Sequence, residues 1–236
     1  MTVFADANFV PGPVLLLGAP GVGKGTQAQI LMDAWGIPQV STGDLIRENI
    51  RQKTPVGVRF SGLVAAGTLV PDEIVNEMIE HRLSEPDASR GYILDGYPRT
   101  LGQAKWLDSF LAKAGHAGAQ HLPVIAVSIE VRYDELLRRI TGRRTGPASK
   151  RIYNIYTNPP VVPGRCDVSG EALVQRPDDS EEVFTERMKA FDELTAPVVA
   201  HYRDQQRFEV VDGEQAVEQV TENIAAALKR LRQGAM

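Results

Sequence analysis

Two rhythms of hydrophobic and polar positions run through the chain. Short, mostly apolar runs, Val14-Leu15-Leu16-Leu17, Tyr92-Ile93-Leu94, Pro123 to Ile129 and Phe208-Glu209-Val210-Val211, are bounded by turn residues and predict buried strands. Between them apolar residues recur every third or fourth position. Ile74, Val75, Met78, Ile79 and Leu83 share one face of a helix begun by Pro71-Asp72-Glu73, and Val217, Val220, Ile224, Leu228 and Leu231 line a C-terminal amphipathic helix. Further helices are expected over about 24–34 and from about Asp134, with Ser41 or Thr42 capping another. Strands alternating with helices predict an α/β fold, a doubly wound parallel sheet with helices on both faces.

Two stretches break that rhythm. Residues 41–70 read as short helical pieces broken by Pro55, Gly57, Gly62 and Gly67, a small insertion and not another βα unit. Residues 142–179 hold five of the fifteen prolines, several glycines and short Tyr-containing segments, and predict a second, hairpin-rich insertion. The remainder, 1–40, 71–141 and 180–236, is then one core.

Candidate chemistry enters at the end of the first strand. Gly18-Ala19-Pro20-Gly21-Val22-Gly23-Lys24-Gly25-Thr26 joins an apolar run to a helical segment. Glycines there let successive N–H groups face one anion, a helix N-terminus adds its dipole, and Lys24 adds a mobile charge, which defines a phosphate-binding loop for a nucleoside triphosphate. Gly25 stands where Ser or Thr usually follows the lysine, which points to a small-molecule kinase. Leu94-Asp95-Gly96-Tyr97-Pro98-Arg99-Thr100 puts an acid at a strand end, where such sheets present residues to ligand, with an arginine four residues on. Asp95 is suited to hold Mg²⁺ through water.

Composition narrows the setting. A 236-residue chain of net charge −4 has no global basic field for nucleic acid, and no apolar run nears the ~20 residues of a membrane span. The first thirteen residues carry Asp6 and neither Lys nor Arg, unlike a secretory or transit leader, and read as a short arm. The single cysteine, Cys166, forbids an internal disulfide and fits a reducing compartment, so the cytoplasm is the default; a monomer is also expected. None of His81, His116, His121 and His201 has a spacing that suggests a metal or a catalytic base.

These residues, with Ser41-Thr42-Gly43-Asp44, Arg47, Leu69-Val70, Gln103, Gly142-Arg143-Arg144, Asn158-Pro159-Pro160, Arg176, Asp178-Asp179 and Arg187, resemble an adenylate kinase of the long type nearly end to end. The resemblance implies a core, a nucleoside-monophosphate-binding insertion at 41–70, a lid at 142–179, and the reaction ATP + AMP ⇌ 2 ADP with Mg²⁺. It implies that Lys24, Arg99, Arg143, Arg176 and Arg187 are catalytic. ATP is expected on Gly21, Val22, Gly23, Lys24, Gly25, Thr26, Arg139, Arg143, Ile152, Tyr153 and Gln215. AMP is expected on Thr42, Arg47, Thr68, Leu69, Val70, Gly96, Tyr97, Pro98, Arg99, Gln103, Arg176 and Arg187. Arg138 and Arg144 read as a solvated helix face. Phosphoryl transfer needs two anions held in line with their repulsion cancelled, and permanently charged planar guanidiniums suit that task.

Other readings fit less well. A shikimate- or gluconate-type kinase shares the loop but not Asp95–Arg99 and Gln103. A short-lid UMP/CMP kinase lacks a segment as long as 142–179, and a nucleotide-sensing module would not need every acceptor arginine. A GTP:AMP phosphotransferase stays open. Many long-type relatives carry a lid zinc on two cysteine pairs, and the matching corners here are Gly146, Ser149, Cys166 and Ser169, with Asp167 adjacent. One or two strong ligands are too few for zinc, and the hydrogen-bonded substitute of other relatives looks incomplete at Gly146 and Cys166. The expectation is a lid without structural zinc, loosely held by Ile152, Tyr153, Ile155, Tyr156 and local turns.

Overall fold

The computed structural model describes residues 9–113 and 122–234. Residues 1–8 of the expected arm, His116 and His121 lie outside them. Strands β1 (Gly12–Leu17), β2 (Gln39–Ser41), β3 (Gly91–Asp95), β4 (Ile125–Glu130) and β7 (Phe208–Asp212) form one sheet in the order β2-β3-β1-β4-β7. Every neighbouring pair is parallel. Central β1 is buried on both faces, which is why its sequence is an unbroken apolar run. The pleat sends Val14 and Leu16 into a layer with α1 (Lys24–Trp35), α6 (Tyr133–Gly142) and α9 (Val217–Gly234). It sends Leu15 and Leu17 into the opposite layer with α4 (Asp72–Leu83), α5 (Leu101–Lys113) and α8 (Ala196–Asp204). At roughly 1.5–3 kcal/mol per fully buried aliphatic side chain, these four residues anchor the strand that carries the phosphate loop.

Two stretches of chain add elements that are not strands of the five-stranded sheet. Between β2 and β3 run α2 (Thr42–Arg51) and α3 (Pro55–Ala65). Pro55 and Gly57 do not break a helix as expected. Pro55 occupies the first turn of α3, whose N-terminus Thr54 caps through the Gly57 N–H, at 3.1 Å. Gly57 lets α3 press on α2, since a Cβ there would meet the Asn49 carbonyl oxygen at 2.1 Å. Gly62 also lies inside α3, and only Gly67, with φ 75°, turns the chain. Between α6 and α7 (Glu181–Ala190), β5 (Arg143–Thr145) pairs antiparallel with β6 (Ile152–Asn154), and isolated bridges join Thr145 to Val174 and Arg165 to Ala172.

Two further expectations change. The arm ends before residue 11, because Pro11, Gly12 and Pro13 are buried. Buried Arg232 donates to the carbonyls of Pro11, Pro13 (3.1 Å) and Pro123 (2.6 Å), tying the starts of β1 and β4 to α9. Val217 is exposed, so the buried face of α9 begins at Val220.

Candidate active site

The parallel sheet places the C-terminal ends of β1, β2 and β3 side by side, beside the point where strand order reverses. A cleft of about 1140 Å³ opens there, with a smaller pocket of about 70 Å³ between the 41–70 insertion and β3. The loop after β1 needs glycine at Gly18, where φ is 133° and a Cβ would meet the Ile129 carbonyl oxygen at 2.5 Å. Gly23, with φ 102°, is the N-cap of α1 and leaves that helix end without a side-chain cap, open to an anion. Lys24 Nζ is folded back onto the carbonyls of Gly18 (2.7 Å) and Ala19 (3.0 Å). Burial holds its pKa down at about 8, only partly offset by Asp95 and reinforced by Arg99, Arg187 and Arg143.

Four guanidiniums face that lysine across the cleft. Arg143 forms a two-point ion pair with fully buried Asp179, its Nε 3.0 Å from Oδ2. Arg187, from α7, pairs with Asp178 at 2.8 Å. Arg99 Nε donates to the Gly96 carbonyl at 2.7 Å, and Arg176 closes the group from the insertion. Burial, then repulsion among these cations, lowers the pKa of Arg99 and of Arg176 to about 10. Burial would raise Asp178, but Arg187, Arg47 and Arg143 outweigh it and hold its carboxyl below the usual range. A cationic cluster this close is unfavourable by itself, and an anion is what satisfies it.

Nearly all predicted site residues line these two spaces. Gly21, Val22, Gly23, Lys24, Gly25, Thr26, Arg139, Ile152 and Gln215 border the large cleft, with Asp95 and Pro98 at its floor. Thr42, Thr68, Val70 and Gln103 line the small pocket, while Arg47, Leu69, Gly96, Arg99 and Arg187 border both. Tyr97 lines neither space. It is fully buried and its hydroxyl donates to Asn76 Oδ1 at 2.6 Å, so it packs the core beneath the site. Tyr153 borders the cleft, but its hydroxyl accepts from the Asp167 N–H at 2.9 Å, so its polar end is spent inside the insertion. Arg144 is not simply solvated, since it donates to the Thr141 and Arg143 carbonyls at the end of α6. Arg138 is exposed over the Tyr156 ring.

Gln39 was not singled out by sequence. Its Nε2 donates to Asp95 Oδ2 at 2.9 Å, fixing the carboxylate at the strand end. Three residues of strand carry too little periodicity to have shown it. One fixed carboxylate beside a phosphate loop fits Mg²⁺, which binds through one or two carboxylates, waters and substrate phosphates.

The 142–179 insertion is held differently from the expectation. Ile152, Ile155 and Tyr156 are exposed and form no core. Instead Glu171 accepts from the N–H groups of Ala148 and Ser149, each at 2.8 Å, and from the Ser169 hydroxyl at 3.0 Å. Gly146 makes room for it, because a Cβ there would come within 2.6 Å of Glu171 Oε1. Cys166 Sγ lies 3.4 Å from Ser149 Oγ and 3.5 Å from the Tyr153 hydroxyl. Among the described residues no group of three or more His, Cys, Asp and Glu side chains could hold a metal ion.

Hydrogen bonds from Ser149 and from the Ala148 N–H hold the Glu171 pKa down at about 2, against an ordinary 4.5. A carboxyl depressed on folding stabilises fully above its ordinary pKa and loses that contribution as pH falls. Local protection of the Cys166 and Gly170 amides against hydrogen exchange is therefore expected to weaken from pH 4.5 toward 2. Glu171→Gln should weaken it already at pH 7, and unchanged exchange in that variant would remove Glu171 from this role.

A sheet of this order, a glycine loop with its lysine and a ring of guanidiniums define a phosphate-loop protein built for phosphoryl groups. Residues 16–207 match the sequence profile of the adenylate kinase family. The chain is 47% identical to the adenylate kinase of Gloeobacter violaceus over 212 residues, covering 88% of this chain and 94% of that protein. It is 44% identical to that of Nitrosococcus oceani over 220 residues (92% and 99%) and 41% identical to that of Clostridium perfringens strain 13 over 219 residues (93% and 98%). This chain belongs to the adenylate kinase family.

Proposed function

We propose that the chain catalyses the reversible transfer of a phosphoryl group from ATP to AMP, giving two ADP. The observation that carries this reading is the arginine cluster lying between two separate anion-binding spaces, one at the phosphate loop and one at the small pocket. ATP occupies the large cleft, its phosphates on the loop N–H groups and Lys24 and its base beside Arg139 and Gln215. AMP occupies the small pocket, its phosphate between Arg47 and Arg99 and its base against Thr42, Val70 and Gln103.

The protein supplies position and charge. Arg143, Arg176 and Arg187 sit where they can neutralise the transferring group as its bonds to donor and acceptor exchange. No general base is required, because the acceptor oxygen belongs to an already anionic phosphate. Asp95 would hold Mg²⁺, which supplies charge neutralisation on the donor phosphates when bound. Residues 41–70 and 142–179 act as the two movable parts on the core, and their closure excludes water from the transferring group. Among the described residues no helix is long and apolar enough to cross a membrane.

A panel of donors (ATP, GTP) against acceptors (AMP, CMP, UMP, GMP) tests the reading. ATP with AMP is expected to be fastest, to require a divalent cation and to run in reverse from ADP. Consumption of ATP independent of AMP, or equal use of a pyrimidine acceptor, would overturn it.

A further inference from the structure

Asp72 opens α4, where an acidic residue would ordinarily be read as a partner of the helix dipole. Its carboxylate is committed elsewhere. Oδ2 accepts from the Thr100 hydroxyl at 2.6 Å and Oδ1 from Gln103 Nε2 at 2.8 Å, so both oxygens reach across to the start of α5. Gly102 leaves the space for this, since a Cβ there would stand 3.0 Å from Asp72 Oδ2. The other end of the Gln103 amide is also taken, because Oε1 accepts from the Arg99 N–H at 2.7 Å. The Gln103 side chain is buried in the wall of the small pocket.

These contacts decide which way the amide faces. A carboxylate can only accept and a peptide N–H can only donate. Rotating the amide by half a turn would set oxygen against the Asp72 carboxylate and NH₂ against the Arg99 N–H, two repulsive pairings in a buried place. An amide carries two N–H donors and two acceptor sites, so Asp72 and Arg99 use one of each and leave one donor and one acceptor in fixed positions. An adenine edge, with its 6-amino donor next to a ring-nitrogen acceptor, matches that pair. A 6-oxo purine offers an acceptor where the amino group was, and could be met only by the rotated amide.

We infer that Asp72 is a positioning residue that locks the Gln103 amide in the orientation selecting 6-amino over 6-oxo purine monophosphates. The inference rests on the reading of the small pocket as the acceptor site. Asp72 bonds Thr100 and Gln103 and no guanidinium, and Gln103 reaches Arg99 only through its backbone N–H, so the substitution is expected to act first on base discrimination.

The test compares AMP with inosine monophosphate as acceptors, with ATP as donor, for the wild type, Asp72→Asn, Gln103→Ala and the double variant. An asparagine nearly keeps the shape but can present NH₂ or oxygen to Gln103, which releases the lock. Asp72→Asn is expected to lower the ratio of kcat/KM for AMP to that for inosine monophosphate about tenfold, chiefly through KM for AMP, with kcat at saturation changed less than about threefold. In the Gln103→Ala background the same substitution should leave the ratio unchanged, a non-additivity that a purely structural role would not produce. A ratio held within twofold in Asp72→Asn, or lowered equally in both backgrounds, overturns the inference. If the wild type uses no AMP, it is the acceptor-site reading that fails.

Discussion

Lys24→Ala is expected to slow phosphoryl transfer by ~10²–10³ while leaving the fold intact. Among the described residues the lysine amino group hydrogen-bonds the Gly18 and Ala19 carbonyls, and it belongs to neither core layer. Its removal takes away a fixed charge aimed at the donor phosphates, and such groups typically carry ~3–4 kcal/mol of transition-state stabilisation. Single-turnover rates with saturating ATP and AMP, together with the circular-dichroism melting curve, decide the matter. Near-normal turnover would remove Lys24 from the site. The pKa of about 8 adds a signature of its own. In the free protein the charged form is lost as pH rises through that value, so kcat/KM for ATP should decline above about pH 8. Lys24→Arg should shift the decline to higher pH.

Asp179→Ala is expected to cost stability as well as activity. Asp179 is fully buried and meets Arg143 with both oxygens. Deleting one member of a buried pair leaves the other charge uncompensated, at a typical cost of ~3–5 kcal/mol. Arg143 stands at the junction of α6 and β5, so the loss should loosen the insertion where it leaves the core. Urea denaturation should show a lowered midpoint, and turnover should fall because Arg143 is no longer held toward the cleft. A midpoint unchanged within error would mean that water or another group takes over the guanidinium.

Much of this was legible in the sequence because it is local. Strand β1, the glycine loop, Lys24, the acid at the end of β3 and the two insertions each lie within one short stretch of chain. Contacts between distant stretches were hidden. Gly146 looked like a missing corner of the second insertion, yet the absent side chain is what admits Glu171 from 25 residues away. Tyr97 lies between two site residues, but the turn after β3 rotates it into the core. Pro55 and Gly57 read as helix breakers because local propensity cannot show a capped first turn or a neighbouring helix. The π segment at Phe191–Thr195, between α7 and α8, is likewise invisible to a reading of apolar spacing.

Asp178 and Asp179 are adjacent, and they hold arginines that arrive from opposite directions, Arg187 from a core helix and Arg143 from the root of an insertion. One peptide unit therefore yokes two guanidiniums, whose spacing cannot drift further than that unit allows. The same two carboxylates offset part of the repulsion that Arg187 meets from Arg143 and Arg47, so the pair that sets the spacing also makes it tolerable.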